Sequence, residues 1–254
     1  MKTFRLFLLL TALLISTACK QSKPQPIEDG SRILSAEISN QLITSFCEDR
    51  FGHVWIGTLR GVNKCVGHQF QQYFYSDDDS LSLSDNQVYR MLRDSKGRLW
   101  IGTSAGICYY TNNDTFHRVP IDGPDKTIGE IMEDSKGNVY ISIVPSIYIY
   151  NEKTDHFSLA IPDANSEKSY ASTCFVDPSD NLWSVGMGHI SCYQNEPYRK
   201  IKSMTIGTMI QASYIDPLGR LWLVSDNKLS VLNTKTLQYI SLPDELAHHP
   251  LFSS

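Results

Sequence analysis

Five copies of one short segment, spaced at near-equal intervals, constrain this 254-residue chain more than any other feature. They run Glu48 to Thr58, Arg93 to Thr103, Glu133 to Ser142, Val176 to Trp183 and Ile215 to Trp222, with an Asp at 49, 94, 134, 177 and 216. The steps are therefore 45, 40, 43 and 39 residues. All 4 tryptophans of the chain, Trp55, Trp100, Trp183 and Trp222, fall in one column six residues after the Asp, and Tyr140 fills the fifth place. A fixed period of this size is the mark of a solenoid, a propeller or an array, in which each unit buries its apolar face against the next.

Each column has a physical reason. Asp followed three residues later by Gly makes a β-turn: the carboxylate accepts a backbone N–H two residues on, and Gly takes the positive φ that closes a hairpin. Pro217 supplies a φ near that of a type I turn in the fifth copy, and Asp180-Asn181 replaces the Gly in the fourth with residues that tolerate the left-handed region. The apolar-Trp-apolar triplet after the turn reads as a short strand buried on both faces, as sandwiching between neighbouring sheets requires.

The second copy spells out a whole unit, with strands expected at Gln87–Leu92, Arg98–Thr103, Ile107–Tyr110 and Phe116–Val119, and a turn at Thr111-Asn112-Asn113-Asp114. Comparable outer strands are expected at Phe70–Tyr75, His156–Ile161, Tyr198–Lys202 and Leu237–Ser241. Four short strands per 39 to 45 residues describe a β-propeller blade. The expected fold is all-β, with about five four-stranded blades over 30–243, at about 40–79, 80–121, 122–162, 163–203 and 204–243. Ile33–Glu37 reads as a fourth strand without a blade of its own. In a closed ring such a strand completes the last blade, yet the fifth copy already owns Leu237–Ser241, so the sequence predicts an incomplete propeller with one blade face uncovered. Residues 244–254 are then a tail or the start of a missing blade.

With 41% hydrophobic and 20% charged residues, the composition excludes a disordered or fibrous chain. The 23 bases do not outnumber the 27 acids, for a net charge of -4, and no Lys/Arg run exceeds two, which argues against a nucleic-acid partner. Residues 1–18 read as a signal peptide: Lys2 and Arg5 precede an apolar run from Leu6 to Ile15, too short to span a bilayer. Ser16-Thr17-Ala18-Cys19 resembles a bacterial lipoprotein processing site, making Cys19 the candidate for lipidation, and a polar, Pro-broken tether follows at 19–29. The mature chain is then expected in the periplasm or cell envelope. The other thiols, Cys47, Cys65, Cys108, Cys174 and Cys192, are odd in number and lack metal spacing, so neither a disulfide framework nor a metal site is expected.

The pattern Asp-x-x-Gly-x-Leu-Trp-Ile-Gly-Thr-x-x-Gly-(Ile/Val), present at Asp94–Ile107 and, with Val for Leu, at Asp49–Val62, resembles the two-component regulator propeller repeat. That resemblance extends over roughly residues 30–243, strongest in the first two copies. It implies the extracytoplasmic sensor region of a hybrid two-component regulator of Bacteroidetes type, with a carbohydrate ligand and further propeller and kinase parts as partners. No kinase, receiver or DNA-binding segment follows here, so no enzymatic activity is carried over and no cofactor is expected.

Candidate ligand residues lie on the face where propellers usually hold ligands. The turns between second and third strands contribute Thr58, Arg60, Thr103 and Ser104, of which Arg60 best suits an acidic or hydroxyl-rich ligand. The connection from the first to the second blade contributes Asp77, Asp78, Asp79 and Asn86, whose spacing is not that of a calcium loop. Set against these readings are an exposed hairpin tip and a solvated turn, and for the tryptophans an inter-blade core in place of sugar platforms. His189, which takes the Gly position of the fourth turn, is the one catalytic candidate, under an alternative in which the chain is a propeller lyase or hydrolase. A protein-binding scaffold lipoprotein is the third reading.

Overall fold

A computed structural model describes residues 32–111, 113–123, 126–164, 172–186 and 188–242. The signal peptide, Cys19, the tether and the tail at 244–254 lie outside the described residues.

The Asp-x-x-Gly turns organise the chain locally. In every copy the turn closes with a backbone bond from the fourth residue to the Asp carbonyl, as from Gly97 to Asp94 at 2.8 Å and from Asp180 to Asp177 at 2.9 Å. The residue that closes it is left-handed, with φ 81° at Gly97 and 62° at Asp180, so of the pair named from sequence Asp180 takes the glycine's place and Asn181 does not.

These turns join the first and second strands of five antiparallel sheets. The first sheet holds β1 (Arg32–Ser35), β2 (Ile43–Glu48), β3 (Val54–Thr58), β4 (Gly61–Val66) and β5 (Gln69–Tyr73). The second is β6 (Val88–Arg93), β7 (Leu99–Thr103), β8 (Gly106–Tyr110) and β9 (Phe116–Val119). The third is β10 (Glu130–Glu133), β11 (Val139–Ile143), β12 (Ser146–Asn151) and β13 (His156–Ile161). The fourth is β14 (Ser172–Val176), β15 (Leu182–Gly186), β16 (His189–Gln194) and β17 (Arg199–Thr205). The fifth is β18 (Ile210–Ile215), β19 (Arg220–Ser225), β20 (Lys228–Asn233) and β21 (Tyr239–Ile240). Strands follow chain order within each sheet, except in the first.

There β1 pairs with the outer strand β5, with Arg32 opposite Tyr73 and Ser35 opposite Phe70. The expectation of a bladeless strand at Ile33–Glu37 is corrected by this pairing: it is a fifth strand on the rim of the first blade. The physical reason is a set of side chains that hold the segment down. Asn63, fully buried, accepts the Ser39 N–H at 2.8 Å, and the Gln72 amide donates to the Glu37 carbonyl at 2.7 Å.

Successive sheets meet face to face, and the aromatic column is where they do so. Trp55 packs with Leu99, Ile101 and Cys108 of the next blade, Trp100 with Val139, Ile141 and Phe157, Tyr140 with Cys174 and Leu182, and Trp183 with Leu221 and Leu223. The four leading members of the column are wholly buried. Every residue of β7, β11 and β15 is buried, the double-faced burial that the apolar triplet predicts. The glycine after the triplet allows close approach: a Cβ on Gly102 would lie 2.6 Å from Ile128 of the third blade.

Candidate functional site

The repeat Asp does more than shape its turn. One carboxylate oxygen accepts backbone N–H groups of the turn, and the other accepts the indole N–H of the Trp six residues on, at 2.9, 2.8, 2.8 and 2.9 Å in the four Trp copies and 3.0 Å from the Tyr140 hydroxyl. A donor four residues after the Asp completes the set: His53, Arg98, Asn138, Asn181 or Arg220. The carboxylates are buried yet fully hydrogen-bonded. Burial pushes the Asp216 carboxyl upward, but Trp222, the Arg220 backbone N–H and the Arg220 guanidinium outweigh it and hold the pKa at about 2. The same balance lowers Asp49 and Asp134. This column is structural, and it explains the Asp–Trp spacing without a ligand.

The site-like feature lies elsewhere, where the first strands of four blades converge. A cavity of about 340 Å³ is lined by Tyr89 and Arg90 from β6, the 127–130 segment and Val144 from the third blade, Thr173 and Val185 from the fourth, and 210–213 from the fifth. It opens at the end of the blades that carries the turns between second and third strands, since Val88 at the start of β6 pairs with Thr103 at the end of β7. Across it Arg90 and Glu130 form a bidentate pair, Nε to Oε2 at 2.8 Å and Nη2 to Oε1 at 3.1 Å, while Nη1 donates to the Tyr89 carbonyl at 2.9 Å. The Arg90 pKa is raised by its bond to Glu130. Among the described residues no group of three metal-ligating side chains occurs.

The residues singled out from sequence stand apart from this cavity. Thr58 and Thr103 are fully buried, and each hydroxyl donates inside its own turn, to the Gly61 carbonyl at 2.9 Å and the Gly106 carbonyl at 2.8 Å. Arg60 is exposed on the first of those turns. Ser104 donates to Asp85 at 2.6 Å. Asn86 braces the neighbouring turn, its carbonyl accepting the Gly61 N–H at 2.6 Å and its side chain the Tyr75 N–H at 2.8 Å. Asp77 and Asp78 are exposed, whereas the backbone of that connection wraps the Arg118 guanidinium, which donates to the Ser76, Asp79 and Ser82 carbonyls. His189 stands at the start of β16, with Nδ1 3.3 Å from the Thr205 hydroxyl, and does not line the cavity.

Sequence reading missed Arg90, Glu130 and Gln211. The signal was there in negative form: constant columns of the repeat have structural duties, and these three lie near the starts of first strands, where the copies differ from one another.

Residues 37–60 and 82–105 match the family described as two component regulator propeller. The match is confined to these two segments, which are the first two copies of the repeat. No curated protein matches the chain by sequence. Among solved structures, the extracellular domain of the hybrid two component system BT3049 from B. thetaiotaomicron superposes with a TM-score of 0.63 at 18% identity, over 80% of this chain and 30% of that one. Virginiamycin B lyase from Staphylococcus aureus gives 0.63 at 16% identity, over 84% and 75%. PorZ, a surface component of the type IX secretion system of Porphyromonas gingivalis, gives 0.62 at 15% identity, over 83% and 34%. Identities this low establish the propeller architecture and nothing further, and the chain spans under a third of the BT3049 domain. Both matched segments contain Trp-Ile-Gly-Thr, at Trp55–Thr58 and Trp100–Thr103, a run that the other three copies lack.

Proposed function

We propose that this chain is an extracytoplasmic sensor propeller of a two-component regulator, binding a carbohydrate in the cavity where its first strands converge. The observation that carries the reading is that cavity itself. Four blades contribute to one concavity in which Ile128, Val144, Val185 and Ile210 alternate with polar side chains, among them Tyr89, Arg90, Glu130 and Gln211, a mixed lining suited to a hydroxyl-rich ligand. Supporting it are the regulator propeller repeats and the architecture shared with the extracellular domain of BT3049. The apolar segment at 1–18 supports export, and a lipid at Cys19 would tether the chain to the envelope; among the described residues no helix is long and apolar enough to cross a membrane. Binding would act by altering how the converging blades pack, with the output passed to kinase parts outside this chain. The alternative of a lyase centred on His189 gains nothing from the cavity, whose lining includes no histidine.

The test is a glycan array probed with the full chain and with Ala212→Trp, which fills the mouth of the cavity from an exposed position. Glycan binding that the Trp variant loses and that His189→Ala keeps is the expected result. Binding untouched by Ala212→Trp would move the site elsewhere, and an array without hits would end the carbohydrate reading.

A further inference from the structure

Resting on that reading of the cavity, we propose that it selects an uncharged polyhydroxylated ligand over a carboxylate-bearing one, and that the Arg90–Glu130 pair makes the selection. Arg90 and Glu130 are the only charged side chains in the lining, and they cancel. Their geometry matters as much as their sum. Three of the five guanidinium N–H groups are occupied, two by the two oxygens of Glu130 and one by the Tyr89 carbonyl. One N–H on each terminal nitrogen remains, and each carboxylate oxygen keeps a second lone pair. Donors and acceptors therefore stand side by side on one rigid, planar unit. A pair of neighbouring hydroxyls, each able to donate and accept, matches that surface without breaking the ion pair.

An acidic ligand meets a different balance. It can take the two remaining N–H groups only by standing against the Glu130 carboxylate, or the whole fork only by displacing that side chain, which is 16% exposed. Either way two carboxylates share one guanidinium, a like-charge pairing that is unfavourable in a cavity whose lining holds no second base. Arg90, at 44% exposed, is reachable from the cavity, so the exclusion comes from Glu130 and not from steric closure. Replacing Glu130 by Gln keeps the shape and one acceptor while freeing the fork, and so converts the cavity from neutral to cationic.

Calorimetric titration of the full chain with length-matched neutral galacto-oligosaccharides and oligogalacturonides reads this directly, with the glycan array supplying further neutral and uronate-bearing probes. The native chain is expected to bind the neutral members at least about tenfold more tightly than their acidic counterparts, and Glu130→Gln to reverse that order. Arg90→Gln, a second variant, should weaken the neutral members without admitting the acidic ones. Equal or tighter binding of acidic glycans by the native chain, or an unchanged preference in Glu130→Gln with native far-UV dichroism, overturns the selection while leaving a carbohydrate site standing. Absence of binding across all probes removes the underlying reading and this inference with it.

Discussion

The second and fifth sheets carry the same Asp-x-x-Gly-Arg-Leu-Trp segment and make the same turn, yet differ in how that segment is buried. In both, the Asp accepts the indole N–H, at 2.8 Å from Trp100 and 2.9 Å from Trp222, and the Arg four residues on donates its Nε at 2.6 Å. Strand β7 is buried throughout, whereas only Leu221 and Leu223 of β19 are. Trp100 is wholly enclosed by Val139, Ile141 and Phe157 of the third blade; Trp222 is half-buried, with no described sheet packed on its outer face. The hydrogen-bonded signature is thus a property of the hairpin alone. Enclosure is a property of the neighbour.

That contrast sets the scale of the expected effects. Trp100→Ala should cost about 3–5 kcal/mol in urea denaturation, as for other large-to-small changes in a packed core, and Trp222→Ala well under half of that. Equal losses would mean that the indole contributes through its hydrogen bond and not through packing. Asp94→Ala strands the Arg98 and Trp100 donors in a buried site and should cost about 1–3 kcal/mol, with Asp216→Ala the milder of the two. If the order is inverted, the local clamp matters more where packing is thinner.

Acid should loosen the clamps by a predictable route. The carboxyls of Asp49, Asp134 and Asp216 are lowered from 3.8, the last to about 2. Their contribution is complete above the unfolded value and is lost as pH falls through the folded one, so the melting temperature should decline between about pH 4 and pH 2. Asp216→Asn should flatten part of that decline, and a slope identical to the native chain's would refute its share. The smallest expected effect is at Ser95, whose N–H and hydroxyl both reach the Glu133 carboxylate of the next blade, at 2.9 and 2.6 Å. Ser135 repeats this with Asp180, and Pro178 and Pro217 remove the N–H from the fourth and fifth copies. Ser95→Ala should therefore cost no more than about 1 kcal/mol, because the pair is exposed and the N–H remains.

Much of the architecture was legible because the turn residues encode it one at a time. Phe116–Val119 and His156–Ile161 are strands with the limits read from sequence, and Tyr140 joins the Trp column as expected. The place of β1 was not legible, since pairing with β5 is decided by Asn63 and Gln72, polar residues that read as solvent-facing until the partner is known. The double use of the Asp carboxylate was equally hidden, for a spacing of six residues has no meaning until the hairpin folds the indole back over its turn. The cavity residues were the least legible of all. Arg90 and Glu130 lie 40 positions apart and meet because β6 and β10 are the inner strands of adjacent blades.

The seat of β1 also fixes where the chain enters the molecule. Arg32 is level with Tyr73, Val62 and Gly57, at the end of the first sheet that bears the Thr58–Gly61 turn, and on its outermost strand. An attachment at Arg32 therefore meets the molecule on the outer edge of the first blade and away from the inner strands. Tension applied there loads the β1–β5 ladder before any other part of the first blade.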